Sequence, residues 1–374
     1  MAKELTICSP QLGVSPQSNL GGEVYDREII KSFCQLGIKV IIILPKNKPY
    51  LARKNLKVYF LPFPFIWPPY LFNFFIVPYL LWLYKKEKFN ILRIHSPYFV
   101  GLGALVFKLL NRSVPLVATY HHLEEKKPFF DLINRLIIKK WNLIVTDSKF
   151  SKKEIIEKYK VKSEKIHIVY PGIEKKFKPL PRKSELIKKY KLKKRKVLLF
   201  LGRLEPRKNI AFILQFIRRI NDPNLKLLIC GKGSLYQDLI NKAEKLKVKD
   251  KVIFTGFIPE EEKVDYYNLA DIFLFPSKKE GFGFSVVEAA ACGVPSVVSE
   301  VSSLKEIVIN GKTGYLAKLN DVDDWKQKIK RLLRDESLRK KMGQSARKFS
   351  QNFSWQKSAK KQIEIYNQSL TISH

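Results

Sequence analysis

Residues 272–299 read IFLFPSKKEGFGFSVVEAAACGVPSVVS. IFLF (272–275) and SVVS (296–299) are apolar runs of the kind that form strands covered on both faces. Between them lie a loop with Glu280, Gly281 and Gly283 and then a helical pattern from about Phe284 to Cys292. Strand, helix and strand in that order make a parallel βαβ unit. The rhythm extends outward. VLLFL (197–201), LLIC (227–230) and VIFT (252–255) precede it in the C-terminal half. The N-terminal half carries LTIC (5–8), VIIIL (40–44), VYFL (58–61), ILRI (91–94), LVAT (116–119), LIVT (143–146) and IHIV (166–169). With helical patterns between them, these runs predict an α/β fold of two Rossmann-like, doubly wound domains.

RKSELIKKYKLKKRK (182–196) holds nine basic residues and one acid and starts no new apolar strand. It marks the expected boundary. The expected division is an N-terminal domain over 1–180, a basic linker over 181–196, a C-terminal domain over 197–350 and a final helix over 351–374. That helix is free to pack back on the N-terminal domain. Helical patterns are expected around 321–334, 335–350 and 354–368.

The chain has 374 residues, more than the roughly 250–300 over which one core usually grows. At 45% hydrophobic residues it can bury enough apolar surface to exclude bulk disorder. Seventeen Gly, twenty Pro and no recurring period exclude collagen-like, mucin-like and repeat architectures. Cys8, Cys34, Cys230 and Cys292 lie far apart without a CxxC pair, so neither zinc nor a disulfide framework is expected. The start, MAKELTICSPQ, is too short in its apolar run for a secretory signal, and a cytoplasmic location is expected. The run Val58–Tyr84 is free of charge and longer than the roughly 20 residues of a spanning helix. Five prolines (62, 64, 68, 69 and 78) argue against a span, because each removes a backbone donor. An aromatic loop to about Pro69 and a hydrophobic helix over 70–88 are expected instead.

Ligands of doubly wound sheets collect beyond the carboxyl ends of the strands. At 276–283 the glycines allow close backbone approach, and the following helix start, at Phe284 and Ser285, favours a phosphate. Glu280 and Glu288, seven residues apart, can both face one ligand and accept hydrogen bonds from sugar or ribose hydroxyls. Taken singly, Glu288 reads better as a first-turn dipole partner and Glu280 as a solvated loop acid. The pairing with the glycines favours a ligand site. In LGRLEPRKN (201–209), Arg203 and Lys208 stand on a strand-to-helix loop and can neutralise a diphosphate.

GRLEPRKN, then EGFGFSVVEAAACGVPSVVS, then EIVINGKTGYL (306–316) resemble the family-4 glycosyltransferases of GT-B fold. The resemblance covers nearly the whole chain. It implies two Rossmann-like domains facing a central cleft, with C-terminal helices. It also implies sugar transfer from a UDP- or GDP-sugar with retention at the anomeric carbon. Glu280 matches the family position that contacts donor sugar hydroxyls, Glu288 the one that holds the ribose, and Arg203 with Lys208 the pair that clamps the diphosphate. Gly283 and the backbone near Phe284, Ser285 and Val286 match the phosphate-binding helix start. Gly231, Gly233, Phe257 and Ile258 match loops near the nucleotide, with Ile258 against the base. Gly21, Gly22 and His121 match the N-terminal glycine loop and a histidine facing the donor. His121 and His122 also fit an exposed turn, and His95 sits at a similar strand end. Two departures stand out: Ser302 and Ser303 replace a common glycine pair, and the first loop, PQLGVSPQSNLGG, is long.

The implied mechanism stabilises the leaving diphosphate electrostatically, with no metal and no other cofactor expected. Asp321 and Asp323 form an Asp-x-Asp, but ahead of a helical stretch Asp321 reads as an N-cap. Glycosidase chemistry also uses two carboxylates, and it gives the phosphate-binding apparatus no task. The alternative from another class is a non-enzymatic binder of nucleic acid or anionic surfaces, prompted by the net charge of +36. No nucleic-acid module signature accompanies that charge, and no nucleic-acid partner is expected. The excess is spread as +17 over 1–180, +8 over 181–196 and +11 over 197–374. Aromatic residues 60–84, the apolar stretch 102–111 and DLINRLIIKKWN (131–142) are bordered by Lys and Arg. This surface suits an acceptor glycan or lipid and docking on the anionic inner face of the cell membrane. The same periodicity fits helices that only cover their sheet.

Overall fold

The structure is a computed structural model that describes residues 4–18, 21–62, 71–95, 97–121, 123, 128–220 and 222–372. The chain forms two compact units, one of residues 1–172 with 354–374, the other of residues 173–353. The basic stretch 182–196 thus belongs to the second unit, and the first unit ends at 172 rather than 180. Acidic partners explain this. Arg182 pairs with Asp271 at 2.9 Å and Lys183 with Asp265 at 3.2 Å.

In the first unit the strands are β1 (Thr6–Pro10), β2 (Lys39–Leu44), β3 (Leu56–Phe60), β4 (Ile91–His95), β5 (Leu116–Tyr120), β6 (Leu143–Thr146) and β7 (Ile166–Ile168). They form one parallel sheet in the order β3-β2-β1-β4-β5-β6-β7. In the second they are β8 (Lys196–Leu201), β9 (Leu225–Cys230), β10 (Val252–Gly256), β11 (Ile272–Phe275), β12 (Ser296–Ser299) and β13 (Gly314–Ala317), in the order β10-β9-β8-β11-β12-β13. The order reverses between β1 and β4 and again between β8 and β11. Such switch points open a crevice at the strand ends. In the second sheet Ile272 pairs with Leu198 and Phe273 with Leu199, so the loops after β8 and β11 are neighbours although they lie some seventy residues apart in the chain.

β13 is the strand that apolar runs do not reveal. GYLA is short, and its glycine is needed for close packing: a Cβ on Gly314 would fall 2.4 Å from the Ser296 carbonyl oxygen. The expected helix over 70–88 is Phe72–Glu87; the aromatic loop before it falls on 63–70, outside the described residues. The last helix, Trp355–Ile372, packs on Gly21–Gln35 of the first unit. There Gln362 donates to the buried Tyr25 hydroxyl at 2.9 Å and accepts from Tyr366 at 2.7 Å. No helix among the described residues is long and apolar enough to cross a membrane.

Candidate active site

After β8 the chain makes a 3₁₀ turn, Pro206–Lys208, and Asn209 in the left-handed region (φ 56°) turns it into the helix Ile210–Arg219. This turn aims two cations at the neighbouring loop. Lys208 Nζ donates to Glu280 Oε1 at 2.7 Å, and Arg207 reaches the same oxygen at 2.9 Å. Arg207 also donates to the Lys279 carbonyl at 2.7 Å. Lys208 lies 4.6 Å from the Phe275 ring centroid, a cation over the face of an aromatic. Burial raises the Glu280 carboxyl, but Lys208 and Arg207 more than offset it and hold the group below the usual carboxylate range. Burial likewise lowers the Lys208 ammonium, with Glu280 opposing.

The loop carrying Glu280 is held from behind by the two serines that depart from the family pattern. The Glu280 N–H donates to Ser302 Oγ at 2.9 Å, and Ser303 Oγ lies 3.0 Å from the carbonyl oxygens of both Glu280 and Phe282. Ser302 itself sits at φ 44°. The hydroxyls thus fix the backbone on both sides of Glu280. Gly283, at φ 104°, is the N-cap of the helix Phe284–Ala291, which has no side-chain cap. A Cβ on Gly283 would meet Ile307 and Leu304 at 2.9 and 3.0 Å, so only glycine fits. Val286 N–H donates to the Gly283 carbonyl at 3.0 Å, and the side chains of Val286 and Val287 are buried. Ser285 lies in the first turn with Phe284.

Glu288, one turn further on, has different partners. Tyr267 donates to its Oε2 at 2.7 Å. Burial raises its carboxyl above the usual range, against the pull of Lys263. Lys263 is in turn paired with Glu260, which also takes Lys176 at 3.1 Å.

Arg203 is exposed and paired with Glu205 at 2.8 Å, and its charge adds to the lowering of the Lys208 ammonium. Gly231 and Gly233 allow the loops after β8 and β9 to touch backbone to backbone. A Cβ on Gly231 would lie 1.9 Å from the Gly202 carbonyl oxygen, and one on Gly233 2.4 Å from that of Leu204. Ile258 is buried, whereas Phe257 beside it is half exposed.

In the first unit, Gly21 and Gly22 open the helix Gly21–Gln35, His95 ends β4, and His121 follows β5. The two imidazole centroids are 4.9 Å apart. Each histidine has its Nδ1 beside an aspartate, His95 at 3.0 Å from Asp26 and His121 at 3.2 Å from Asp147. Asp26 also pairs with the fully buried Arg93 at 2.7 Å. Burial raises the Asp26 carboxyl, but Arg93 and His95 bring it down to about 2. Burial lowers His95, with Asp26 opposing. A Cβ on Gly22 would come within 3.4 Å of His95 Nε2, while Gly21 has open space. His122 lies outside the described residues.

Sequence reasoning gives no role to Arg207, Tyr267, Asp26, Arg93 or Asp147, and marks Ser302 and Ser303 only as a departure from the family pattern. Arg207 lies in the same loop, LGRLEPRKN, as Arg203 and Lys208, and its place beside Lys208 is the signal that marks it. Asp321 does cap the helix Val322–Arg334, accepting from the Asp324 N–H at 3.0 Å. Among the described residues no three His, Cys, Asp or Glu side chains are grouped as a metal site would need.

Residues 182–349 match the family model Glycosyl transferases group 1, and residues 20–177 match Glycosyltransferase Family 4. A D-inositol 3-phosphate glycosyltransferase of Corynebacterium jeikeium is 30% identical over 308 residues, 75% of this chain and 73% of that protein. An uncharacterized glycosyltransferase of Methanocaldococcus jannaschii is 29% identical over 311 residues, 80% of this chain and 83% of that one. Among solved structures, sucrose-phosphate synthase from Thermosynechococcus elongatus superposes with a TM-score of 0.81 at 20% identity, over 97% of this chain and 98% of that one. Anabaena HepE in complex with UDP and glucose superposes with a TM-score of 0.79 at 17% identity, over 96% and 99%. The fold is of GT-B type. The chain belongs to the family-4 glycosyltransferases.

Proposed function

We propose that this glycosyltransferase moves a hexosyl group from a UDP- or GDP-sugar to an acceptor with retention at the anomeric carbon. The observation that carries the reading is the Glu280 carboxylate held by Lys208 and Arg207 beside the Gly283-capped helix start. As the donor's glycosidic bond breaks, negative charge grows on the leaving diphosphate. Lys208, Arg207, Arg203 and the N-H groups of Phe284 and Ser285 supply the compensating positive charge, and no metal is called on. Glu280 accepts hydrogen bonds from the sugar hydroxyls and Glu288 from the ribose. The leaving phosphate helps take the proton from the incoming acceptor hydroxyl. HepE is described with UDP and with glucose bound, which supports a uridine nucleotide.

The acceptor in this reading is a membrane glycolipid or lipid-linked glycan, used in building the cell envelope or a polysaccharide. The corynebacterial relative is named for D-inositol 3-phosphate, a small phosphorylated molecule. What favours a lipid here is the apolar, cation-bordered surface of the N-terminal unit, which would work from the inner face of the cell membrane.

A thermal-shift screen against UDP-, GDP- and ADP-sugars tests the donor assignment. The expected result is stabilisation by one nucleotide class, lost in Glu280→Ala. Equal shifts in wild type and that variant, with full transfer activity in both Glu280→Ala and Glu288→Ala, sink the donor site.

A further inference from the structure

Three consecutive helices of the first unit, Phe72–Glu87, Pro97–Leu110 and Pro128–Ile137, share one core on their inner sides. Glycines lock them side by side. A Cβ on Gly103 would lie 2.4 Å from Ile76, and one on Gly101 2.7 Å from Ile137. The Gly103 N–H also donates to Asn73 Oδ1 at 3.0 Å. A helix with its apolar face already buried ordinarily shows water a polar one. These helices also show water large apolar residues.

On the first helix Phe74, 73% exposed, and Trp82 follow each other at a spacing of eight, a single outer stripe. On the second, Leu102, Leu109 and Leu110 face outward, the last two at 71% and 63%, and no exposed charge shares that face. On the third, Leu132 and Leu136 continue the surface at a spacing of four, at 56% and 61%. Three packed helices therefore each carry outward apolar side chains, with Arg135 the exposed charge among them on the third, and grouped apolar residues of this kind mark interaction sites.

The charges beside it identify what it meets. Lys85 and Lys86 end the first helix, Arg112 follows the second, and Lys139 with Lys140 follow the third; all are exposed. Glu87 is occupied by Lys39 and Lys57, both at 2.9 Å, and Asp131 by Arg135 and Lys158 at 2.9 and 2.7 Å. The rim is thus positive with its nearby acids neutralised. A second copy would bring the same positive rim against this one, at an electrostatic cost. An anionic bilayer complements both the apolar centre and the cationic edge.

We infer that this three-helix face docks on an anionic lipid bilayer, with the leucines and aromatics entering the acyl boundary and the Lys and Arg rim against the headgroups. The inference deepens the lipid-acceptor reading above. It is tested without donor or acceptor, so that it stands or falls separately.

The test is co-sedimentation of the full chain with phosphatidylcholine vesicles, with and without phosphatidylglycerol, for wild type, Leu109→Ser/Leu110→Ser and Leu132→Ser/Leu136→Ser. These side chains are exposed, so the variants should keep the wild-type unfolding temperature and the wild-type response to donor nucleotide. The expected result is binding to the anionic vesicles and partition about tenfold weaker or more in each variant. Three results would each overturn the inference. One is no binding of wild type to anionic vesicles at low salt. Another is binding that salt abolishes and the serine substitutions leave untouched, which is the work of general positive charge alone. The third is a concentration-dependent dimer that the substitutions dissolve, which gives the face to a second copy.

Discussion

Each unit buries a carboxylate beside a cation at the switch point of its sheet, and the two pairs are built to opposite ends. In the N-terminal unit Asp26 and Arg93 meet at 2.7 Å with both side chains almost wholly out of solvent. Arg93 also donates to Ser9 and lies against the Tyr25 ring. Every neighbour closes over the pair. In the C-terminal unit Glu280 and Lys208 meet at the same 2.7 Å, but Arg207 beside them is about a third exposed and an uncapped helix start adjoins them. A sealed pair can only hold structure. A pair with one open side can exchange partners with an anionic ligand.

Breaking the sealed pair should have the larger effect on stability. Arg93→Met leaves Asp26 ionised and buried, and should lower the unfolding free energy by about 4 kcal/mol, read by chemical denaturation. Adding Asp26→Leu should recover much of that loss, since no lone charge then remains. The pH sign follows from the depressed carboxyl. The contribution of Asp26 is complete above the ordinary aspartate range and is lost as pH falls toward about 2. A single-variant cost under about 1 kcal/mol would erase the distinction between the pairs.

Lys208→Met should cost less stability, about 2 kcal/mol, because Arg207, itself about a third exposed, stays 2.9 Å from Glu280. Its effect on transfer should be larger than its effect on folding, about 10²-fold or more in kcat, if these cations face the leaving group. Arg203→Met, on an exposed residue paired with Glu205, sharpens the contrast. It should leave the unfolding temperature unchanged and lower activity less than Lys208→Met. A reversed order in activity would move the diphosphate contact from the turn at 206–208 to Arg203.

The same contrast governs what could be read from the chain. The C-terminal site is local: Glu280, Gly283 and Glu288 lie within nine residues, and Lys208 stands on the loop of the next strand in the sheet. Glycine's need at Gly283, the strand ends and the helix start are all properties of neighbours in sequence. What local sequence does not show depends on contacts across the fold. Ser302 and Ser303 looked like a loss because their service, bonding the backbone around Glu280, shows only when the loops after β11 and β12 are side by side. Asp26, Arg93 and Asp147 come from different elements, and an Arg inside an apolar run such as ILRI gives no sign of the aspartate it will meet. The unit boundary differs from the sequence expectation for a similar reason. The run at 182–196 is basic enough to pass for a linker until Asp265 and Asp271 are seen to hold it. β13 lacked the apolar run that betrays the other strands.

Glu288 supplies the smallest effect and the finest distinction, because it shares a motif with Glu280 and not its electrostatics. Buried, with a tyrosine hydroxyl rather than a cation as its direct partner, its carboxyl is raised where that of Glu280 is lowered. A raised carboxyl costs the folded state stability wherever it must be ionised. The cost is therefore present above the folded value and relieved as pH falls through it to the unfolded one. Glu288→Gln, which keeps an acceptor for Tyr267 and removes the charge, should raise the unfolding temperature slightly near neutral pH. The advantage should shrink to nothing in acid. Glu280→Gln should do the reverse, losing stability at neutral pH and converging with wild type as pH falls below the usual carboxylate range. Parallel pH profiles for the two variants would mean that the glutamates share one environment, and the division between a cation-held donor carboxylate and a neighbour set for hydroxyl contacts would fall.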